Sequence, residues 1–205
     1  MIDLYTAPTV NGYRAALALE EAGLEWHLHK INFRTGDQLT PEFLAINPSG
    51  KIPVLVDHGA VGGSPLTVAQ SGAILLYVAE KTGLMIPECP RRRALAYQWF
   101  MQAMTDVQAT SSSIFLNQGK APVSDQQNVE YYEGRMANFL GYCDANLKDR
   151  EFMADEFSLA DIALYVLVAW RKELIDRTPG LLDLRRWAEM MAERPAVKRA
   201  YATVG

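Results

Sequence analysis

The chain has 205 residues, 49% hydrophobic and 21% charged, with a formal net charge of -4. That is enough apolar material for one large domain or two small ones, and it excludes a disordered chain. Arg91-Arg92-Arg93 is the only run of three basic residues, which argues against a nucleic-acid footprint. The longest fully apolar run, Ile162 to Trp170, is about half of the ~18 residues a membrane span needs, so no membrane partner is expected.

Short β-type runs at Ile2 to Tyr5, Trp26 to Ile31 and Val54 to Val56 alternate with helix-like segments at Tyr13 to Ala22 and Ser71 to Thr82. This is a βαβ pattern followed by further strands. Nine of the 14 glycines fall within residues 1 to 85, which places most turns there. After Pro87 and Pro90 the apolar residues recur at helical spacing, as at Leu95, Trp99, Met101 and Met104, and the second part reads as all-helical. Within it, Thr110-Ser111-Ser112-Ser113 reads as a loop or a helix irregularity. Cys89 and Cys143 stand too far apart for a C-x-x-C pair, a zinc cluster or a disulfide scaffold. No metal is therefore expected, and with no basic-then-apolar leader at Met1 to Tyr5 the expected compartment is a reducing cytoplasm.

Four segments carry information. Tyr5-Thr6-Ala7-Pro8-Thr9-Val10-Asn11-Gly12 leads from a strand into a helix; Pro8 removes a ladder donor and Gly12 allows unusual backbone angles. The unpaired N–H groups of the helix start favour an anion, a thiolate included, beside Thr9 and Asn11, with Asn11 as a plain N-cap the competing reading. In Asn47-Pro48-Ser49-Gly50-Lys51-Ile52-Pro53-Val54-Leu55 a proline opens a strand. A cis Ile52-Pro53 bond would leave the Ile52 backbone to pair with an extended ligand, whereas a trans bond is an ordinary strand start. In Gln70-Ser71-Gly72-Ala73-Ile74-Leu75 the Ser71 hydroxyl and N–H suit a ligand carboxylate and Gln70 an ammonium group; otherwise Ser71 caps the helix. Phe157-Ser158-Leu159-Ala160-Asp161-Ile162 fits a capping box, a folding device, with Phe157 stapled against Ile162.

In order and spacing these segments resemble the glutathione transferases over essentially the whole chain. The resemblance implies an α/β N-terminal thioredoxin-like domain at residues 1–84 that binds glutathione. An all-α C-terminal domain at 91–205 would shape the pocket for the second substrate. The opening Ile2 to Gly12, together with Gly36-Asp37-Gln38 and Pro41-Glu42-Phe43-Leu44, is most similar to the bacterial Nu-class-like enzymes of disulfide-bond reductase type. That likeness implies Thr9 and Asn11 near the glutathione sulfur, Gln38 and Lys51 toward the glycine end, and the Ile52 backbone beside the cysteinyl part. It further implies Pro53 as the family's cis-proline and Gln70 and Ser71 at the γ-glutamyl end. Glutathione is then a co-substrate, its partner a small electrophile or disulfide, and the assembly a homodimer. Tyr5 is the rival sulfur donor, since several classes use a tyrosine near the end of the first strand; inside an apolar run it reads as core. A non-catalytic binding domain of the same fold is the alternative function.

Overall fold

Period-two burial sets the first element: in β1 (Ile2–Thr6) the residues Ile2, Leu4 and Thr6 are buried, while Asp3 and Tyr5 stand on the other face. The computed structural model describes residues 1–120 and 124–205. They divide into two compact units, Met1–Leu84 with Glu193–Gly205, and Met85–Ala192.

The first unit is built on a four-stranded sheet of order β2-β1-β3-β4, with β2 (Trp26–Lys30), β3 (Val54–Asp57) and β4 (Leu66–Ala69). β1 and β2 are parallel and joined by helix α1 (Val10–Glu21); β1 with β3 and β3 with β4 are antiparallel. Tyr5 pairs with Val54, which pairs with Ala69. The β1–α1 loop, the Ile52-Pro53 segment and the entry to helix α3 (Ser71–Thr82) therefore all leave the same end of the sheet. Helix α2 (Pro41–Ile46) is capped by the Thr40 hydroxyl, which accepts from Phe43 N–H, and it lies between β2 and β3 in the chain.

Ala15 to Leu19 of α1 are all fully buried, as expected of a helix covered on every side, and their small alanines allow close approach by α3 and by helix α10 (Pro195–Val204). α10 is fastened to α1 by a bidentate Arg194–Glu21 pair at 2.6 and 2.8 Å, by Arg199–Glu20 at 2.7 Å, and by Tyr13 stacked on Tyr201. The sequence reading puts a boundary near residue 84 and runs the second domain to 205; the contacts group 193–205 with the first unit, because Arg194, Arg199 and Tyr201 meet Glu21, Glu20 and Tyr13 of α1.

The second unit contains α4 (Pro90–Met101), α5 (Gln108–Phe115), α6 (Gln126–Leu147), α7 (Leu159–Trp170), α8 (Lys172–Arg177) and α9 (Leu182–Ala192). The Thr110–Ser113 cluster lies in α5, which is flanked by π-type turns at Gln102–Val107 and Leu116–Lys120, so the irregularity surrounds the cluster. There the hydroxyls of Ser112 and Ser113 donate to the carbonyls of Gln108 and Ala109, a back-bonding that loosens helical geometry. Helix α7 is buried from Leu159 to Val168, with the expected capping box at its start. Phe157 makes a ring contact with Phe152. No helix among the described residues is long and apolar enough to cross a membrane.

Asp161 is fully buried and accepts four hydrogen bonds, from Met153 N–H, Ser158 N–H, Ser158 Oγ and Trp187 Nε1 at 3.0 to 3.2 Å. Burial pushes its carboxyl up to about 6, against the lowering effect of those donors. The folded chain thus holds this proton more tightly than the unfolded chain. Stability contributed at this site is full below about pH 4 and declines by roughly 3 kcal/mol as pH rises to about 6. Asp161→Asn is expected to lose that slope and to cost about 1–3 kcal/mol at neutral pH, because its amide would turn donors toward donors. Urea unfolding of both proteins between about pH 4 and 7 reads the difference directly.

Candidate active site

The β1–α1 loop is ordered by its cap. Thr9 is the N-cap of α1, with extended backbone, and its Oγ1 accepts from Gly12 N–H at 3.1 Å. Asn11 is the second residue of the helix, so the N-cap reading for Asn11 is corrected: the hydroxyl two residues earlier reaches the free amide first. The role expected for Gly12 also changes. It is helical, and what it supplies is room: a Cβ there would lie 2.1 Å from the Ala7 carbonyl oxygen and 2.5 Å from Thr6 Oγ1.

Arg14 is the residue that the sequence reading missed. Its side chain is completely buried, and Nη1 donates to Asn11 Oδ1 at 2.7 Å and to Ser71 Oγ at 2.8 Å. The Ser71 hydroxyl in turn donates to the same Asn11 oxygen at 3.2 Å. Burial pushes the guanidinium down to about 9, which leaves it charged at neutral pH. With Oδ1 claimed by a cation, the Asn11 amide is fixed in one orientation and its NH₂ end is left as a donor. The signal was present in the sequence as an arginine three residues after Asn11 on one helix face.

Ser71 is the first residue of α3, and the N-cap is Gln70, which makes no side-chain capping bond. The alternative in which Ser71 caps α3 is therefore corrected, since its hydroxyl is drawn to Arg14 and Asn11. Gln70 has φ 74 and ψ 118, outside the comfortable range of a side-chain-bearing residue. Such a conformation costs on the order of 1–3 kcal/mol and is held by its surroundings. The side chain of Gln70 is exposed at the start of the helix.

Ile52-Pro53 is cis, which decides between the two readings of that segment. Ile52 precedes the first paired residue of β3, Val54. Asn47 braces this loop by donating from Nδ2 to the Lys51 carbonyl at 2.6 Å. Gly50, at φ 62, lies against the turn that carries Gln38, because a Cβ on it would approach Leu39 Cδ2 and the Gln38 carbonyl at 3.1 and 3.3 Å. Gln38 and the Lys51-Ile52 loop are thereby neighbours, and the Gln38 Oε1 is buried without a hydrogen-bond partner.

Of the expected residues, Asn11 and Ser71 are joined directly, Thr9 caps the same helix, and Gln38, Lys51, Ile52 and Pro53 belong to a second cluster at the same end of the sheet. Beside Thr9 lies an open cavity of about 430 Å³ lined by Pro8, Ile31 and Phe33, with Lys30 and Arg34 as its cations. Tyr5 is placed differently: its ring stacks on His29 at 4.2 Å and meets Phe43 edge-on, on the sheet face that β1 turns away from α1. Burial pushes its hydroxyl above the ordinary tyrosine value.

Residues 1–80 match the family model "Glutathione S-transferase, N-terminal domain", and residues 98–195 match "Glutathione S-transferase, C-terminal domain". The chain belongs to the glutathione S-transferase family. It is 38% identical to the disulfide-bond oxidoreductase YfcG of Escherichia coli (strain K12), covering 98% of this chain and 94% of that protein. Among solved structures it is similar to a glutathione transferase from Pseudomonas putida with one glutathione disulfide bound per subunit. That match is 34% identical, has a TM-score of 0.89, and covers 100% of this chain and 92% of the other. A Burkholderia graminis glutathione transferase with two glutathione molecules bound per subunit is 34% identical, also at a TM-score of 0.89, over 98% and 88% of the two chains. The expected combination of a thioredoxin-like α/β unit and a helical unit is thus the family's own.

Arg14→Met keeps most of the volume and removes the cation. It is expected to destabilise the chain by about 2–3 kcal/mol, since Asn11 Oδ1 and Ser71 Oγ lose their charged donor in a buried setting. The shift in urea midpoint at constant slope measures it.

Proposed function

We propose that this transferase activates glutathione at the start of α1 and uses the thiolate to reduce small disulfides. What carries the reading is the Asn11 amide held by Arg14 and Ser71, two residues past the Thr9 cap, in a chain 38% identical to a named disulfide-bond oxidoreductase. A thiol of pKa about 8.5 is only a few per cent ionised at neutral pH, and the thiolate is the nucleophile. The Thr9 hydroxyl, the Asn11 NH₂ group and the helix N-terminal amides are donors for that sulfur. A drop of about two pKa units corresponds to roughly 2.7 kcal/mol of preferential thiolate binding, within reach of two or three charge-assisted hydrogen bonds.

The rest of the tripeptide fits the remaining donors and acceptors. The Ile52 backbone pairs with the cysteinyl part, with Pro53 shaping the approach. Ser71 and the first amides of α3 receive the γ-glutamyl carboxylate, and Gln70 its ammonium group. Gln38 and Lys51 face the glycine end, the unpartnered Gln38 Oε1 taking an N–H and the Lys51 ammonium a carboxylate. The bound thiolate attacks one sulfur of a disulfide, forming a mixed disulfide with glutathione and expelling the other sulfur as a thiolate that takes up a proton. A second glutathione thiolate then attacks the glutathione sulfur of the mixed disulfide, giving glutathione disulfide and the second reduced thiol. No protein cysteine takes part. Cys143 is buried, which pushes its thiol up to about 12. Cys89 is the residue that precedes α4, where the amides of Arg92 and Arg91 lower its thiol. Conjugation of small electrophiles is the second use of the same thiolate.

Purified protein is assayed for glutathione-dependent reduction of hydroxyethyl disulfide and for conjugation of a chloronitrobenzene. Thr9→Ala and Asn11→Ala are each expected to lower disulfide reduction by about 10- to 100-fold and to raise the pH at which bound glutathione ionises by about one unit, read from thiolate ultraviolet absorbance. Thr9→Ser restores both the cap and the donor and should recover most activity. Tyr5→Phe should leave turnover within about twofold; loss of turnover in Tyr5→Phe with full activity in Thr9→Ala overturns the assignment. Calorimetric glutathione binding with no turnover of either substrate replaces it with a binding domain.

A further inference from the structure

All three histidines of the chain converge on one carboxylate, on the sheet face that β1 turns away from α1. His27 and His29 are two apart on β2 and so share a face; the parallel register sets His27 beside Asp3 and His29 beside Tyr5. His58 follows β3 directly, and its N–H bonds to the Met1 carbonyl, which brings its ring to the other side of Asp3.

The distances are those of a ligand set. His29 Nε2 lies 3.1 Å from Asp3 Oδ1, His27 Nδ1 lies 3.6 Å from the same oxygen, and the two ring nitrogens are 3.1 Å apart. A tetrahedral ion with bonds of about 2.0–2.1 Å holds its ligand atoms about 3.3–3.4 Å from one another. Three edges of that tetrahedron are already built. Hydrogen bonding alone fits the triangle less well, because His29 Nε2 faces two atoms at 3.1 Å and carries at most one hydrogen to satisfy them. His58 Nε2 lies 2.7 Å from the other carboxylate oxygen, Asp3 Oδ2, the kind of outer hydrogen bond that orients a ligating carboxylate. Stacking on Tyr5 at 4.2 Å and 10° fixes the plane of the His29 ring. The His27 side chain is 67% exposed and that of Asp3 15%, so the triangle is anchored on one side and open to solvent on the other.

We propose that Asp3 Oδ1, His27 Nδ1 and His29 Nε2 bind one divalent transition-metal ion of the zinc class, with His58 as the outer partner of the carboxylate and a water in the fourth position. Two imidazoles and one carboxylate suit Zn²⁺, Co²⁺ or Ni²⁺, whereas Mg²⁺ and Ca²⁺ call for oxygen ligands throughout. The site is separate from the thiol-activating residues: Asp3 lies near the start of β1, whereas the loop carrying Thr9 and Asn11 leaves its far end, about 10 Å along the strand from Asp3. It requires no glutathione and no residue of the other unit, and Tyr5, which the sulfur chemistry does not need, acquires a role as the residue that positions His29.

The test uses the full chain without an affinity tag, stripped of metal by chelator and kept free of glutathione. Zn²⁺ is titrated by calorimetry and Co²⁺ by visible absorption. The expected result is one ion per chain and the intense visible bands of tetrahedral Co²⁺. His27→Gln combined with His29→Gln should weaken binding by at least about 100-fold and abolish the bands, and His58→Gln should weaken it about 10-fold. Cys89→Ser should leave it unchanged. Circular dichroism confirms folding, and His27→Gln alone, at an exposed position, serves if the double variant does not fold. Absence of stoichiometric binding to the parent chain, binding that survives loss of His27 and His29, or binding that disappears with Cys89 overturns the proposal.

Discussion

The first unit depends on one buried cation. Arg14 has no access to water, so its guanidinium must be met by oxygen atoms, and the two identified are Asn11 Oδ1 and Ser71 Oγ. These oxygens belong to the first turns of α1 and α3. Meeting the cation therefore draws two helix N-termini together at the end of the sheet where the β1–α1 loop and Ile52-Pro53 also emerge. Each helix start contributes partial positive charge, and Arg14 adds a full one behind them. An anion arriving there encounters a field already assembled, which is the electrostatic requirement of a site that ionises a thiol.

The second unit rests on a buried charge of the opposite sign. Asp161 stands at the start of α7 and gathers donors from the preceding loop and from Trp187 of α9. The two groups differ in what their partners leave over. Arg14 orients an amide whose other end stays available. All four recorded bonds of Asp161 run to the unit's own donors, and burial still pushes its carboxyl up to about 6. One charge therefore leaves an oriented amide donor at a helix start, while the other closes a core.

What could be read in the sequence followed the range of each interaction. β1 and α3 are legible because burial alternation and helical spacing are local, β3 because Val54 to Val56 is a short apolar run, and the Ser158–Asp161 box because both partners lie within one turn. The sequence leaves Asn11 open as a competing cap, because Thr and Asn side chains vie for the same helix-start N–H and only loop geometry decides for Thr9. Ser71 was read as a possible cap because nothing nearby in the sequence announces Arg14, 57 residues earlier. The grouping of α10 with the first unit rests on Glu20, Glu21 and Tyr13, more than 170 residues away. The histidine cluster was missed although His27-Leu28-His29 shows the strand period, because Asp3 enters only through the β1–β2 register.

That register ties the two halves of the functional reading together. On β1 the even residues Leu4 and Thr6 face the core and fix how closely α1 approaches, with Thr6 Oγ1 against the space that Gly12 leaves empty. The odd residues Asp3 and Tyr5 face the other way and carry the carboxylate and the ring that organise the histidines. A slip of one residue would exchange the two sets, burying Asp3 under α1 and turning Leu4 to solvent. Core, β1–α1 loop and histidine cluster are thus specified by a single strand pairing, which explains how a five-residue strand carries two chemically different faces without either intruding on the other.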